Sequence, residues 1–441
     1  MSRVRIIDTS YVNVPAATTP PPEPIKLTAM EAPWVVFPVL QHVLLFEGAD
    51  MPTFDTILHS LRSSLAVTLG SFAPLASKLV HLKDTGDVAI SCSASDTVKF
   101  VVAESDTDIR RLVGDEEPDL PVLEQLVADV DMSKLPTHVL AVQATRFEGG
   151  VAVGVTVHHA VADGRSLWTF VEAWATACRG ETPAATPTFD RSLVQLPGGE
   201  ERARSIFRKL APNLPLVTSP SFLQEDRARF TRRTFTLDKQ DIQRLKQHIV
   251  DLSEAHGAPL TRPPSTYVAV TALAWTCFAR SKPFAMDDEL LLFFLADVRD
   301  RLSPPVDAAY IGVCLTGCLA IIPTRELHGA CALVAGASAI QNEIRRMTED
   351  PTNRRDYLNL IKASWDRVMN VSGSSGFRAY EIADFGWGKP RRTEPIRMNH
   401  DGQVALMRGR DGDGVQVSVS LLHRPEMDHF KSVFLDLAGL S

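Results

Sequence analysis

The stretch from Val139 to Gly180 constrains the fold more than any other part of this chain. Two apolar runs, VLAVQATRF and VAVGVTVHH, flank Glu148-Gly149-Gly150, which reads as two strands joined by a glycine turn. Directly after them, RSLWTFVEAWATACRG places Leu167, Phe170, Val171, Trp174 and Cys178 at helical spacing and stops at Gly180. A hairpin that runs straight into an amphipathic helix needs a sheet with helices laid on it, the α/β arrangement. The junction reads VHHAVADG, residues 157–164. Asp163 stands where a side-chain oxygen caps the first helical turn, and Gly164 is suited to a tight strand-to-helix passage.

The rest of the chain repeats this mixture. Phe54, Ile57, Leu58, Leu61 and Leu65 form one helical stripe ending at Gly70, and PWVVFPVLQHVLLFEG before it is strand-like. Residues 14–24 form a Pro/Thr-rich extended arm. KQDIQRLKQHIVDL is an amphipathic helix capped by Asp238, and STYVAVTALAWTCFARS a buried one from Ser265. LLLFFLADVR reads as a buried strand and GVQVSVSLLH as a half-buried one. Further helices are expected over 330–347, 354–369 and 426–440. At 441 residues the chain exceeds what one core supports. Two α/β domains are therefore expected, 1–180 and 223–441, joined by a Pro-, Thr- and Gly-rich crossover over 181–222 with little periodicity.

Composition removes several function classes. A net charge of −7 does not suit a nucleic-acid partner, and no 18-residue apolar run predicts a membrane span. The first residues carry no secretory pattern. Six sparse cysteines read as reduced core residues of a cytoplasmic protein, with no zinc spacing among them. A monomer is expected.

His159 and Asp163 make an HxxxD pattern, and a chain with 12 histidines produces roughly one of these by chance. The context adds meaning: the histidine ends a strand and the aspartate opens a helix. Histidine titrates near pH ~6.5 and serves as a base for an attacking hydroxyl or amine and as an acid toward a leaving thiolate. Asp163 then fixes the loop, through helix-start hydrogen bonds or a pair with an arginine. His158 points to the opposite face of the strand and reads as a structural or rim residue. Adjacent strand histidines do not converge on one ion, so no metal is expected.

HHAVADG resembles the HxxxDG motif of the BAHD family of plant acyl-CoA-dependent acyltransferases. A second signature of that family, DFGWG, stands intact at Asp384-Phe385-Gly386-Trp387-Gly388, and STYVAVTALAW and ADVRDRLSPP match its middle blocks. The resemblance runs from PIKLTAMEAPW to the C-terminal strand. It implies two similarly built chloramphenicol-acetyltransferase-like α/β domains with mixed sheets and a channel at their interface. It also implies acyl-CoA as co-substrate, no permanently bound cofactor, and a small phenolic acceptor. On this resemblance His159 is the catalytic base, and Asp163 is structural with Arg299 of ADVRDR as its candidate partner. Gly164, Asp384, Gly386 and Trp387 are structural at the site.

Two departures stand out: Glu31 occupies a position where similar relatives have aspartate, and Val313 replaces the asparagine of a Tyr-Phe-Gly-Asn block. HHAVADGRS and GSSGFRAYEIADFGWGKP are similar to the branch acting on phenolic and anthocyanin glycosides, often with malonyl-CoA. A malonyl carboxylate calls for a cation, for which Arg165 and Arg378 are the candidates; a solvated arginine is the plainer reading of each. Ser374 and Ser375 are candidates for contact with coenzyme A. The alternatives are an N-acyltransferase making hydroxycinnamoyl amides, or a standalone condensation-type domain using carrier-bound acyl groups.

Overall fold

The computed structural model describes residues 4–440 apart from 115, 185, 195, 222–228, 258–259, 353–357 and 399. Five strands of the two large sheets come from the first half: β1 (Val4–Asn13), β2 (Leu40–Glu47), β3 (Thr97–Ser105), β4 (Leu140–Phe147) and β5 (Gly150–Val157). The second half supplies β6 (Thr231–Leu237), β7 (Glu289–Asp297), β8 (Leu315–Pro323), β9 (Val368–Ser374), β10 (Arg392–Pro395), β11 (Gln403–Arg408) and β12 (Val415–Leu421). They build two six-stranded sheets, ordered β1-β3-β4-β5-β2-β10 and β6-β12-β11-β9-β7-β8. Both are mixed: β3 and β4 run parallel in the first, and β9 runs parallel to both β7 and β11 in the second. A smaller four-stranded sheet of short strands lies in the first half.

The hairpin forms as β4 and β5, with Phe147 opposite Gly150. Both strands are buried along nearly their whole length, which explains runs with almost no polar alternation. Helices α1 (Phe54–Leu69) and α2 (Gly164–Cys178) cover the first sheet. They are tied together where the Trp174 indole donates to the Leu61 carbonyl and Ser64 Oγ, each at 3.1 Å.

The crossover is less featureless than its composition suggests. It holds α3 (Gly199–Leu210), which buries only Ala203 and Phe207 and is otherwise largely charged; a stripe that narrow carries little periodic signal. In the second half α4 (Lys239–Ala255) starts with a capping box of Asp238 and Asp241, and α5 (Thr266–Ser281) is buried nearly all round. With α6 (Ala332–Glu349) and α7 (Arg424–Ala438) they form the helical layer of that half.

Two expectations need correction. Among the described residues of 354–369 the α-helix covers Leu358–Ala363, a 3₁₀ turn follows at Trp365–Arg367, and from Val368 the chain is already β9, inside the second sheet. Arg354, where that helix was to begin, and Phe222, at the end of the crossover, lie outside the described residues. The division into halves is also incomplete. β10 leaves the second half to pair with β2, from Arg392 opposite Leu45 to Pro395 opposite His42. Its Glu394 is fully buried between the sheets, bonded to Arg392 Nε (2.9 Å), Arg232 Nη2 (3.1 Å), Thr234 Oγ1 (2.9 Å) and Ser418 Oγ (3.2 Å).

Candidate active site

β5 ends at Val157, and a single turn carries His158 and His159 into α2. Backbone bonds hold this turn: the His158 N–H donates to the Val139 carbonyl at 2.8 Å, and the Val161 N–H to the His158 carbonyl at 2.9 Å. His158 is sealed, with Nδ1 accepting from the Ala160 N–H at 3.2 Å. His159 keeps 8% of its surface exposed. Its Nδ1 is sealed from solvent, and its ring stacks on Trp34 with centroids 3.8 Å apart. Burial pushes the His159 imidazole down to about 4, although its own carbonyl, the Asp163 charge and the Ala162 carbonyl act in the opposite sense. The same cause takes His158 to about 3. Both rings are therefore neutral at pH ~7.

Asp163 caps α2. Its Oδ1 accepts from the Ser166 N–H at 3.0 Å and Arg299 Nη2 at 3.1 Å, its Oδ2 from Arg299 Nη1 at 2.7 Å and the Cys314 N–H at 3.1 Å. Four donors saturate this carboxylate, so it has no lone pair to spare for the histidine. Burial alone would raise its pKa, but the Arg299 guanidinium and these hydrogen bonds hold it below the usual carboxylate value. Neither side chain of the pair has more than 1% exposure. Gly312 completes the junction: its carbonyl accepts from the Asp163 N–H at 3.1 Å, and its N–H donates to Ser166 Oγ at 3.1 Å. The turn bearing His159 is thus stitched to the second half along 312–314.

Gly164 is not in a left-handed conformation. What it provides is room, since a Cβ there would lie 2.8 Å from the Phe377 ring. Phe377 thereby brings the loop holding Ser374, Ser375 and Arg378 against the start of α2. Within it Ser374 Oγ accepts from the Gly376 N–H at 3.0 Å, and the Ser375 carbonyl accepts from Arg408 Nε at 3.4 Å. Arg378 is half exposed and 3.7 Å from Glu381; Arg165 faces Asp297 at 3.3 Å. Each arginine already has a carboxylate neighbour.

Asp384, Gly386 and Trp387 are elsewhere. The Asp384 carboxylate accepts from the Gly386 and Gly388 N–H groups at 2.9 and 3.1 Å, and its carbonyl accepts from Arg179, the residue that ends α2. Phe385 is buried edge-on to Trp174 and Phe46, with Trp387 stacked on it at 5.6 Å. A helix from Asp163 to Arg179 is about 24 Å long at 1.5 Å per residue, so this motif grips the opposite end of α2 from the histidine. Trp34, Arg191 and Phe377 were not singled out from sequence. Each acts across a gap of more than a hundred residues or has its role only through a neighbour of that kind, and nothing local marks it.

Among the described residues no group of three or more His, Cys, Asp or Glu is arranged to hold a metal ion, all six cysteines are free, and no helix is long and apolar enough to cross a membrane. Two facing α/β halves joined over a buried histidine are the framework of a two-domain acyltransferase. A family model described as the Transferase family matches residues 3–437, and the chain belongs to that family, the BAHD acyltransferases. It is 29% identical to the malonyl-CoA:anthocyanidin 5-O-glucoside-6''-O-malonyltransferase of Arabidopsis thaliana, over 98% of each chain. It is 31% identical to phenolic glucoside malonyltransferase 1 of Bemisia tabaci, over 87% of this chain and 85% of that one. The crystal structure of vinorine synthase shares the fold, with a TM-score of 0.73 at 20% identity over 99% and 98% of the two chains.

Proposed function

We propose that the protein transfers a malonyl group from malonyl-CoA to a hydroxyl of a phenolic or anthocyanin glycoside, with His159 as general base. The acyl-CoA-dependent transfer follows from the family; donor, acceptor and base are the proposed part. The observation that carries the reading is the placement of His159: nearly buried, stacked on Trp34, and set where the two halves meet. With Nδ1 sealed, Nε2 is the nitrogen left for substrate. It takes the proton as the hydroxyl oxygen attacks the thioester carbonyl, and the tetrahedral intermediate collapses with loss of the CoA thiolate, which takes that proton back. The low resting pKa is compatible with this role, because negative charge developing on the substrate stabilises the imidazolium as it forms. Asp163 fixes the turn and does not relay the proton. The similarity to malonyltransferases supports the donor, and Arg165, two residues beyond Asp163, is the cation proposed to meet its carboxylate by exchanging Asp297. We further propose that the enzyme works as a cytoplasmic monomer.

The test is a donor panel of malonyl-, acetyl-, coumaroyl- and caffeoyl-CoA against phenolic glucosides and amines, read as CoA release and product mass. Malonyl glucosides are expected. Products formed only from aromatic donors, or only on amines, would refute the substrate assignment. His159→Ala should lower kcat by about 10² or more, the usual range for loss of a general base, with the fold intact. Near-wild-type turnover in that variant would refute the base.

A further inference from the structure

Trp34 covers one face of His159 with the rings only 21° from parallel, and it sits on a short 3₁₀ turn, Ala32–Val35, whose leading residue is Glu31. Glu31 is fully buried and forms an ion pair with Arg191, Oε1 lying 2.8 Å from Nη2. It also accepts from the Thr28 N–H at 2.8 Å and the Val313 N–H at 3.4 Å. Arg191 in turn donates to the Ile311 and Phe189 carbonyls at 2.7 and 3.1 Å. The two departures noted from the family pattern, Glu31 and Val313, thus touch each other. Tyr310 lies beside both buried pairs, its ring centroid 5.3 Å from the Arg191 guanidinium and 5.7 Å from that of Arg299. One segment, 310–314, is therefore braced from two sides. The Asp163–Arg299 pair secures the turn that carries His159, and the Glu31–Arg191 pair secures the turn that carries Trp34.

We propose that Trp34, held by the Glu31–Arg191 pair, is a positioning residue that fixes the ring plane of His159 during acyl transfer. This rests on the reading of His159 as the base. A flat indole against one face excludes water from that face and leaves the imidazole to exchange protons only in its own plane. An aromatic face also attracts a cation, which offsets part of the cost of excluding water when the imidazolium forms. The ionisable groups around His159 are His158 and Asp163 on its own turn, Arg299 bound to Asp163 from the second half, and Glu31 with Arg191 behind Trp34. None of these replaces the stacking surface.

The test compares Trp34→Leu, Trp34→Phe, Glu31→Gln and His159→Ala in the full chain, measuring kcat, KM for acyl-CoA and the pH dependence of kcat/KM. Trp34→Leu is expected to lower kcat by ~10-fold or more while KM changes less than ~3-fold, a loss confined to the transition state. Its acid limb should move upward from about 4 toward the ordinary histidine value as water reaches the ring. Trp34→Phe should recover most of the lost kcat. Glu31→Gln should lower kcat in the same sense, and adding it to Trp34→Leu should cost little more. Wild-type kcat in Trp34→Leu, or an unmoved acid limb, overturns the proposal while His159→Ala stays inactive. Activity retained in His159→Ala overturns the base itself. If Trp34→Leu fails to fold, Trp34→Phe and Glu31→Gln decide: wild-type kcat and acid limb in Glu31→Gln refute the bracing.

Discussion

Removing the carboxylate of Asp163 tests the structural half of this site most directly. In Asp163→Ala the Arg299 guanidinium, wholly buried, loses its main counter-charge. Stranding one partner of a buried pair costs ~3–5 kcal/mol. The guanidinium keeps Asp297 at 3.1 Å, a partly exposed carboxylate, which draws the cost toward the lower end. Loss of the helix cap adds ~1 kcal/mol, for a total of about 4 kcal/mol. At ~2–4 °C per kcal/mol for a domain of this size, the melting temperature should fall by about 8–16 °C. Calorimetry on Asp163→Ala, Arg299→Ala and the double variant should show the double less destabilised than the sum of the singles, by ~1–3 kcal/mol. Turnover should fall with stability, since the same bonds hold the turn bearing His159. A single variant melting within ~2 °C of wild type, less than 1 kcal/mol on that scale, would refute the claim that this pair anchors the turn.

Three further outcomes follow from named contacts. His158, His159 and His400 are buried and held at about 3, 4 and 4, whereas in the unfolded chain each titrates near ~6.5. Between those values the unfolded chain binds protons that the folded one refuses, so stability falls as pH falls from ~6.5, by up to ~1.4 kcal/mol per pH unit for each histidine. A melting temperature unchanged from pH 7 to pH 5 would contradict it. Gly164→Ala places a methyl 2.8 Å from Phe377 and should cost ~1–3 kcal/mol as overpacking; adding Phe377→Leu should restore much of the loss, and failure to do so would locate the strain elsewhere. Gly386 has φ of +106°, so Gly386→Ala should cost ~1–3 kcal/mol in backbone strain, measured by thermal melting, with the acid limb of the pH profile unmoved. A shifted limb would place that motif in contact with the chemistry.

The parts of the molecule that were legible in the sequence are those whose signal is local. The β4–β5 hairpin carries its glycine turn, α2 its apolar stripe and its cap at Asp163, and α4 its capping aspartates, all within a few residues of the elements they define. β1 escaped because it is a sheet-edge strand with most residues exposed, so no buried face imposes alternation. β10 escaped because its four residues, Arg-Thr-Glu-Pro, contain nothing apolar beyond the proline. They become a strand only through β2, more than 340 residues earlier in the chain. The site divides the same way. His159 and Asp163 stand out by their place at a strand-to-helix junction, and Arg299 by the family block it sits in. The indole that stacks on the histidine and the ion pair behind it exist only once 31, 191 and 313 are brought together.

The two motifs at opposite ends of α2 explain each other. If the junction only had to bring His159 near a substrate, the Asp163–Arg299 bonds would suffice, and nothing would require a second grip some 24 Å away. The second grip makes sense as a constraint on how the halves sit. β10 is hydrogen-bonded into the first sheet, Phe385 is inserted among Phe46 and Trp174, and the side chain of Glu394 reaches from β10 to two strands of the second sheet. Rotating one half away from the other would unzip that strand, expose that phenyl ring and leave a buried carboxylate short of donors, penalties of several kcal/mol in sum. A hinge between the halves is therefore closed as a route to the histidine. Access to the histidine then falls to the loops at the junction. The 374–378 loop, held against Gly164 through Phe377, lies beside the start of α2, next to the turn that carries His159.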